Sequence, residues 1–249
     1  MDYSLIILFL IGILSFSAST ITGGGGAMML LPLLNFWFGV KSTAPIINLA
    51  MTIGRPARLT IFWKHIHWGM SLFYIPTALI GVWLGSLIIL KLPTEWFQAV
   101  VGLFLISTLF QYRFGKRKKS FTMKNVYYLP LGLAVGFLGT LTGGLGPVLN
   151  PFYLNSGLEK EELIATKTAN SFFVGLAQIL VYSQKDILTQ SLSIHGITLG
   201  VGIIIGTLIG KRFLKKISSE IFHKLFILMM VLSGLLLLWR STIILTSSF

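Results

Sequence analysis

Apolar runs occupy nearly the whole of this 249-residue chain, at about 4–21, 27–38, 42–63, 70–90, 95–112, 126–141, 147–155, 162–182, 191–210 and 221–245. A medium that accepts so much apolar surface is a bilayer. There, each backbone polar group must be satisfied within a helix or a closed barrel. Barrel strands alternate apolar and polar residues, and these runs do not. The expected fold class is therefore an all-α polytopic membrane protein of about ten helical segments. Charged residues make up 11% of the chain, against about 25% in a soluble domain. Cysteine is absent, which leaves no disulfide framework and no thiolate metal site. About ten spans of roughly 20 residues each leave no room for a catalytic domain outside the membrane. The start, Met1-Asp2-Tyr3-Ser4, lacks the basic region of a cleaved signal peptide. Residues 5–21 are expected to form the first membrane helix.

Two of the runs, 27–38 and 147–155, are too short to cross a core of about 30 Å at 1.5 Å per residue. Each follows a glycine cluster. Thr20-Ile21-Thr22-Gly23-Gly24-Gly25-Gly26 matches Thr140-Leu141-Thr142-Gly143-Gly144-Leu145-Gly146 at five of seven positions. Gly81 and Gly85 pair with Gly206 and Gly210, Lys91 with Lys216, Glu95 with Glu220 and Phe97 with Phe222, all at an offset of 125. The polar stretch 166–170 pairs with 48–52. We read two homologous membrane repeats, 1–112 and 126–249, joined by a basic linker, 113–125.

The net charge of +13 would suggest nucleic acid in a soluble protein. Here the cations cluster between apolar runs, so they set orientation instead, and no nucleic-acid partner is expected. The linker, with Arg113, Lys116, Arg117, Lys118, Lys119 and Lys124, is expected to face the cytoplasm. Counting crossings puts Lys64, Lys160, Lys211, Arg212, Lys215, Lys216 and Lys224 on that side. Lys41, Lys91, Lys185, Arg240 and both termini fall on the other. Each repeat then has an odd number of crossings, so the repeats are inverted, a common build of secondary transporters.

Short, glycine-interrupted segments at matching places in two halves point to a binding site. A helix that starts after such a bend aims free N–H groups and a positive dipole end at it. Gly23, Gly24, Gly25 and Gly26, with Gly143, Gly144 and Gly146, are candidates on that ground. Thr22 and Thr142 are candidate hydroxyl donors, and Asn150 a candidate amide. The same glycines would also serve close helix packing, and for Gly81, Gly85, Gly202, Gly206 and Gly210 packing is the favoured reading. All seven acids lie at segment ends or in loops, whereas Arg55, Arg58 and Lys167 lie within apolar runs. A cation there costs about 2.5–3.5 kcal/mol on insertion scales and marks function, with snorkelling to the interface as the alternative. Pro56 should break the helix beside Arg55 and free carbonyls near Asn48 and Thr52. Asn48, Thr52 and Asn170 add polar groups in the third segment of each half. His65, His67, His195 and His223 lie near helix ends. They form no metal set, and no metal or cofactor is expected. Neither glycine cluster ends in the Gly-Lys-Ser/Thr of an ATP-binding loop.

Thr22-Gly23-Gly24-Gly25-Gly26 followed by Pro32 and Gly39, and Thr142-Gly143-Gly144-Leu145-Gly146 followed by Pro151, Gly157 and Ala165-Thr166-Lys167-Thr168, resemble the paired signatures of the sulfite exporter TauE/SafE (TSUP) family. Gly206 and Gly210 before Lys211 and Arg212 are also similar. Leu145 departs from the all-glycine pattern. The resemblance implies a permease of the cytoplasmic membrane for sulfite, sulfonates or another small sulfur-containing anion. The expected function is secondary anion transport through a site between the repeats. A coupling ion, proton or sodium, and a homo-oligomer are both compatible with it. A passive anion channel is the first alternative, and a membrane-embedded transferase the second.

Overall fold

The computed structural model describes residues 3–22, 26–89, 91, 123–143, 152–153, 156–158 and 160–213, with isolated positions between 96 and 106 and between 231 and 239. Among these residues every regular element is helical and there is no strand. We number the helices α1 (Tyr3–Thr22), α2 (Gly26–Phe38), α3 (Val40–Gly54), α4 (Pro56–Phe62), α5 (Trp68–Ile89), α6 (Tyr128–Thr142), α7 (Lys160–Gln184) and α8 (Gln190–Phe213). Short 3₁₀ turns at Trp63–His65 and Asn125–Tyr127 lead into α5 and α6. The expected segments at 95–112, 147–155 and 221–245 lie almost wholly outside the described residues.

Among the described residues, four helical stretches are long and apolar enough to cross a membrane: Tyr3–Thr20, Trp68–Ile89, Asn125–Thr142 and Gln190–Gly210. Their outer faces show Leu10, Leu14, Leu72, Ile80, Trp83 and Leu208, as expected where the surrounding solvent is lipid. α2 has 13 residues, about 20 Å at 1.5 Å per residue, so it stops short of a full crossing. It turns into α3 at the single residue Gly39, whose φ of 76° is closed to most L side chains. Thr43 caps the turn by donating its hydroxyl to the Gly39 carbonyl at 2.8 Å.

The run at 42–63 is broken beside Arg55, where Pro56 is expected to break it, into α3 and α4. Pro56 has no N–H for the Thr52 carbonyl, and its ring crowds that carbonyl. Arg55 keeps helical angles, φ −71° and ψ −35°, so the chain kinks there rather than turning. α4 continues beyond the kink, with the Leu59 N–H bonded to the Arg55 carbonyl.

Two interlocked helix pairs hold the bundle: α1 lies along α8, and α5 along α6. In the first pair Gly202, Gly206 and Gly210 face the backbone of Phe9, Ile13 and Ser17. In the second, Gly81 and Gly85 face Leu133 and Phe137, while Gly132 and Gly136 face Tyr74 and Ala78. Residue numbers rise together on both sides, so each pair is parallel. This is close packing through small residues, the means by which helices associate in lipid. α3 lies parallel to α8, with Leu49 at Gly196 and Ile53 at Gly200. It runs antiparallel to α7, with Asn48 at Tyr182 and Arg55 at Ser171.

These contacts sort the helix ends. The ends of α1, α3 and α8 lie with the starts of α5, α6 and α7. The α5 start is tied to α7 by a bond from the His67 N–H to the Thr166 hydroxyl, 2.9 Å. Lys64, Lys124, Lys160, Lys211 and Arg212 gather at this end of the bundle, and Lys41, Lys91 and Lys185 at the opposite one.

The glycine contacts generate a stability prediction. A Cβ at Gly85 would lie 2.8 Å from the Phe137 carbonyl oxygen, and one at Gly210 would lie 2.5 Å from that of Ser17. Both obstacles are backbone. Gly85→Ala and Gly210→Ala should each cost about 1–3 kcal/mol through overpacking, seen as a lower melting temperature in detergent. Gly69→Ala, whose Cβ would meet the His67 ring at 3.4 Å and the Asn125 amide at 3.8 Å, ordinary van der Waals distances, should leave it unchanged.

Candidate functional site

The residues expected to bind ligand fall into three groups. Gly23, Gly24, Gly25, Gly144, Gly146 and Asn150 lie outside the described residues. The backbones of Thr22 and Arg58 are placed, in α1 and α4, but their side chains lie outside the description. Of the remainder, Asn48, Thr52 and Arg55 on α3 and Lys167 and Asn170 on α7 belong to the two helices that cross, Thr142 and Gly143 end α6, and Gly26 starts α2 against Ser19 of α1.

Asn48, Thr52 and Arg55 stand at i, i+4 and i+7, so they share one face of α3. That face meets α7, on which Asn170, Val174, Gln178 and Tyr182 repeat at intervals of four. Asn48 donates its amide to the Tyr182 hydroxyl at 3.1 Å. Tyr182 in turn donates to the Thr140 carbonyl at the end of α6. Gln178 donates to the Thr140 hydroxyl at 3.3 Å. Asn48, Gln178, Tyr182 and Thr140 are all buried, so this chain of bonds ties α3, α6 and α7 together away from solvent.

Arg55 is half-buried at the kink. Its Nη1 donates to the Ser171 carbonyl of α7 at 2.7 Å and lies 3.4 Å from the Thr52 hydroxyl. Gly175 makes the room: a Cβ there would fall on the Arg55 guanidinium and the Thr52 hydroxyl. The guanidinium is thus held in the α3–α7 seam. It bears a permanent charge at a place where Pro56 has already removed one backbone bond. Lys167 is half-buried two turns from the start of α7. Asn170 is buried and donates to the Tyr153 hydroxyl at 2.8 Å.

The bends expected at the glycine clusters fall largely outside the described residues, and their described flanks are helix ends. α1 stops at Thr22 and α2 starts at Gly26. α6 ends at Gly143 in the left-handed region, φ 82°, a conformation that glycine adopts without strain. A Cβ at Gly143 would lie 2.9 Å from the Ala44 Cα, so the bend rests on α3 one turn before Asn48.

Donors at these bends differ from expectation in two places. The Gly26 N–H bonds the Ser19 hydroxyl at 3.0 Å, so it caps α2 locally and is not presented to a ligand. Thr142 donates to the Leu138 carbonyl at 2.9 Å, and Thr52 to the Asn48 carbonyl at 2.7 Å. Such hydroxyls offer lone pairs, not protons, to anything beyond them.

Several polar residues were not singled out from sequence. Tyr74, Tyr128, Tyr153 and Tyr182 are the largest fully buried side chains, and each sits in an apolar run that conceals it. Tyr128 and Tyr153 stack obliquely, with ring centroids 5.7 Å apart. Both amide ends of Asn35, the Ser71 hydroxyl and the Asn170 Oδ1 are buried with no hydrogen-bond partner among the described residues. A group left so costs about 1–3 kcal/mol. The four-residue spacing along α7 was the signal that could have revealed Gln178 and Tyr182.

A protein-family model described as "Sulfite exporter TauE/SafE" matches residues 8–237. A 108-residue stretch is 31% identical to the "Probable membrane transporter protein YtnM" of Bacillus subtilis (strain 168). The match covers 39% of this chain and 36% of that protein, so well under two thirds of the relative is spanned. No solved structure matches the chain.

The Asn48–Tyr182–Thr140 bonds give a test of how the seam is held. Tyr182→Phe should destabilise the protein by roughly 1–3 kcal/mol, because the Thr140 carbonyl and the Asn48 amide lose a buried partner. A cycle with Asn48→Leu should return a coupling of about 0.5–3 kcal/mol, measured by thermal unfolding in detergent. Additive effects would show that the two side chains do not act together.

Proposed function

The chain belongs to the sulfite exporter TauE/SafE family, and from that premise we propose that it is a secondary transporter, not an enzyme, for small anions such as sulfite or organosulfonates. The observation that carries the reading is Arg55: a permanent cation in an apolar run, at a proline kink, held against α7 in the seam between α3 and α7. An anion is the ligand such a group can neutralise without bringing a carboxylate into the membrane.

The proposed site lies where the glycine bends face that seam. Backbone N–H groups of Gly23, Gly24, Gly25, Gly144 and Gly146 would replace water around the anion's oxygens. Arg55, with Arg58 and Lys167, would supply countercharge. Thr22, Asn48, Thr52, Thr142, Gly143, Asn150 and Asn170 would complete the lining.

We read the chain as two inverted repeats, 1–112 and 126–249, with 113–125 between them. Helix directions support this. Of the described helices of the first repeat, α1, α3 and α5 have the counterparts α6, α7 and α8 in the second, and each counterpart points the opposite way. The first helix of each repeat also packs along the last described helix of the other. Gly39 and Gly157, which occupy matching places, both have positive φ. The gathering of Lys64, Lys124, Lys160, Lys211 and Arg212 at one end supports a cytoplasmic position for that end and for the linker. Both termini would then lie outside the cell membrane. Alternating access between the repeats, coupled to protons or sodium, would move the anion across.

Proteoliposomes loaded with the purified chain test the reading. Labelled sulfite or an organosulfonate should enter by saturable uptake with counterflow; flux that follows voltage without counterflow would indicate a channel. Arg55→Gln should lower uptake about tenfold or more, since a charged hydrogen bond is worth about 1.5–3 kcal/mol and 1.4 kcal/mol is tenfold. Gly175→Leu, which fills the guanidinium's place, should do the same. Unchanged uptake in both variants, with normal folding by size-exclusion profile, would remove Arg55 from the site.

A further inference from the structure

Two asparagine–tyrosine pairs occur in this protein, and they differ in one respect. Asn48 donates to Tyr182, and Tyr182 passes its proton on to the Thr140 carbonyl, so protein groups close the chain of bonds. Asn170 donates to Tyr153 in the same manner, at 2.8 Å, but its Oδ1 finds no partner among the described residues. Asn170 is 1% exposed. Native proteins seldom leave an acceptor in that condition without a use for it.

The surroundings show what the use is. Ser171, the next residue, receives the Arg55 guanidinium on its carbonyl. The carbonyl that holds the Arg55 guanidinium and the unpartnered amide oxygen therefore belong to consecutive residues of α7, with the Tyr153 hydroxyl bonded to the same amide. Arg55 attracts negative charge. The amide oxygen accepts a hydrogen bond and repels a bare anionic oxygen.

Building on the anion-transport reading above, we propose that Asn170 is a specificity-determining residue, selecting small anions that carry a hydrogen-bond donor, an O–H or N–H, beside their charge. The anionic group sits toward Arg55, and the donor completes the Asn170 Oδ1. Tyr153, which fixes the amide through Nδ2, is the positioning residue. A site built to bond a hydroxyl discriminates strongly against the analogue without it, because that analogue leaves the buried acceptor unpaired. The same logic separates hydrogensulfite from sulfite.

The test compares 2-hydroxyethanesulfonate with ethanesulfonate, nearly equal in size and charge, in proteoliposomes of the full chain. A wild-type preference of about tenfold or more for the hydroxylated anion is expected. Sulfite uptake should follow the hydrogensulfite fraction as external pH is varied. In Asn170→Leu the ratio between the two sulfonates should fall toward one, and Tyr153→Phe should reduce it partway. The ratio is read whatever the absolute rate. Where a variant is too poorly folded for transport, the wild-type protein in detergent gives the second reading: 2-hydroxyethanesulfonate should raise its melting temperature more than ethanesulfonate does. A wild-type chain that carries neither sulfonates nor sulfite defeats the transport reading itself. One that carries them with no advantage for the hydrogen-bearing member, or with a preference for ethanesulfonate, overturns the role given to Asn170 and leaves anion transport standing.

Discussion

Close approach of helix backbones is what this structure depends on. In lipid, apolar side chains gain little by meeting one another, so helices associate through dense contact and hydrogen bonds. The Gly202–Gly206–Gly210 row on α8 brings that helix against the backbone of α1, and Gly81, Gly85, Gly132 and Gly136 do so reciprocally between α5 and α6. Polar bonds tie the α3–α7 crossing, where Asn48, Thr52 and Arg55 face Ser171, Gly175 and Tyr182. Two parallel pairs flank this polar antiparallel seam, and Asn48, Thr52 and Arg55 of the candidate ligand groups lie in it.

Much of this was readable in the amino-acid order. Helicity followed from run length and the lack of alternation, and the glycine rows were read as packing from their four-residue spacing. Arg55 stood out because a cation inside an apolar run is rare, and Pro56 marked the kink beside it. What could not be read depends on the third dimension. The run at 42–63 gives no sign that α3 ends at Gly54 while Arg55 keeps helical angles. Thr142 and Thr52 look like free donors in sequence. Only the coordinates show that each returns its proton to a carbonyl one turn back. Tyr74, Tyr153 and Tyr182 are masked by the apolar residues around them, since a phenol counts as hydrophobic until its hydroxyl is seen bonded or buried.

The register between the halves also needed the fold. Sequence matching set 166–170 against 48–52. In the structure, Asn48 and Asn170 hold the same position in the bonding pattern, each donating to a buried tyrosine. Their offset of 122 falls between the 120 of the glycine clusters and the 125 of the later matches.

The interlocking of α1 with α8 and of α6 with α5 has a mechanical corollary. Each clasped pair takes one helix from either side of the linker, so the close-packed units cut across the order of the gene, and a shift of either clasp would carry chain from both sides of residues 113–125.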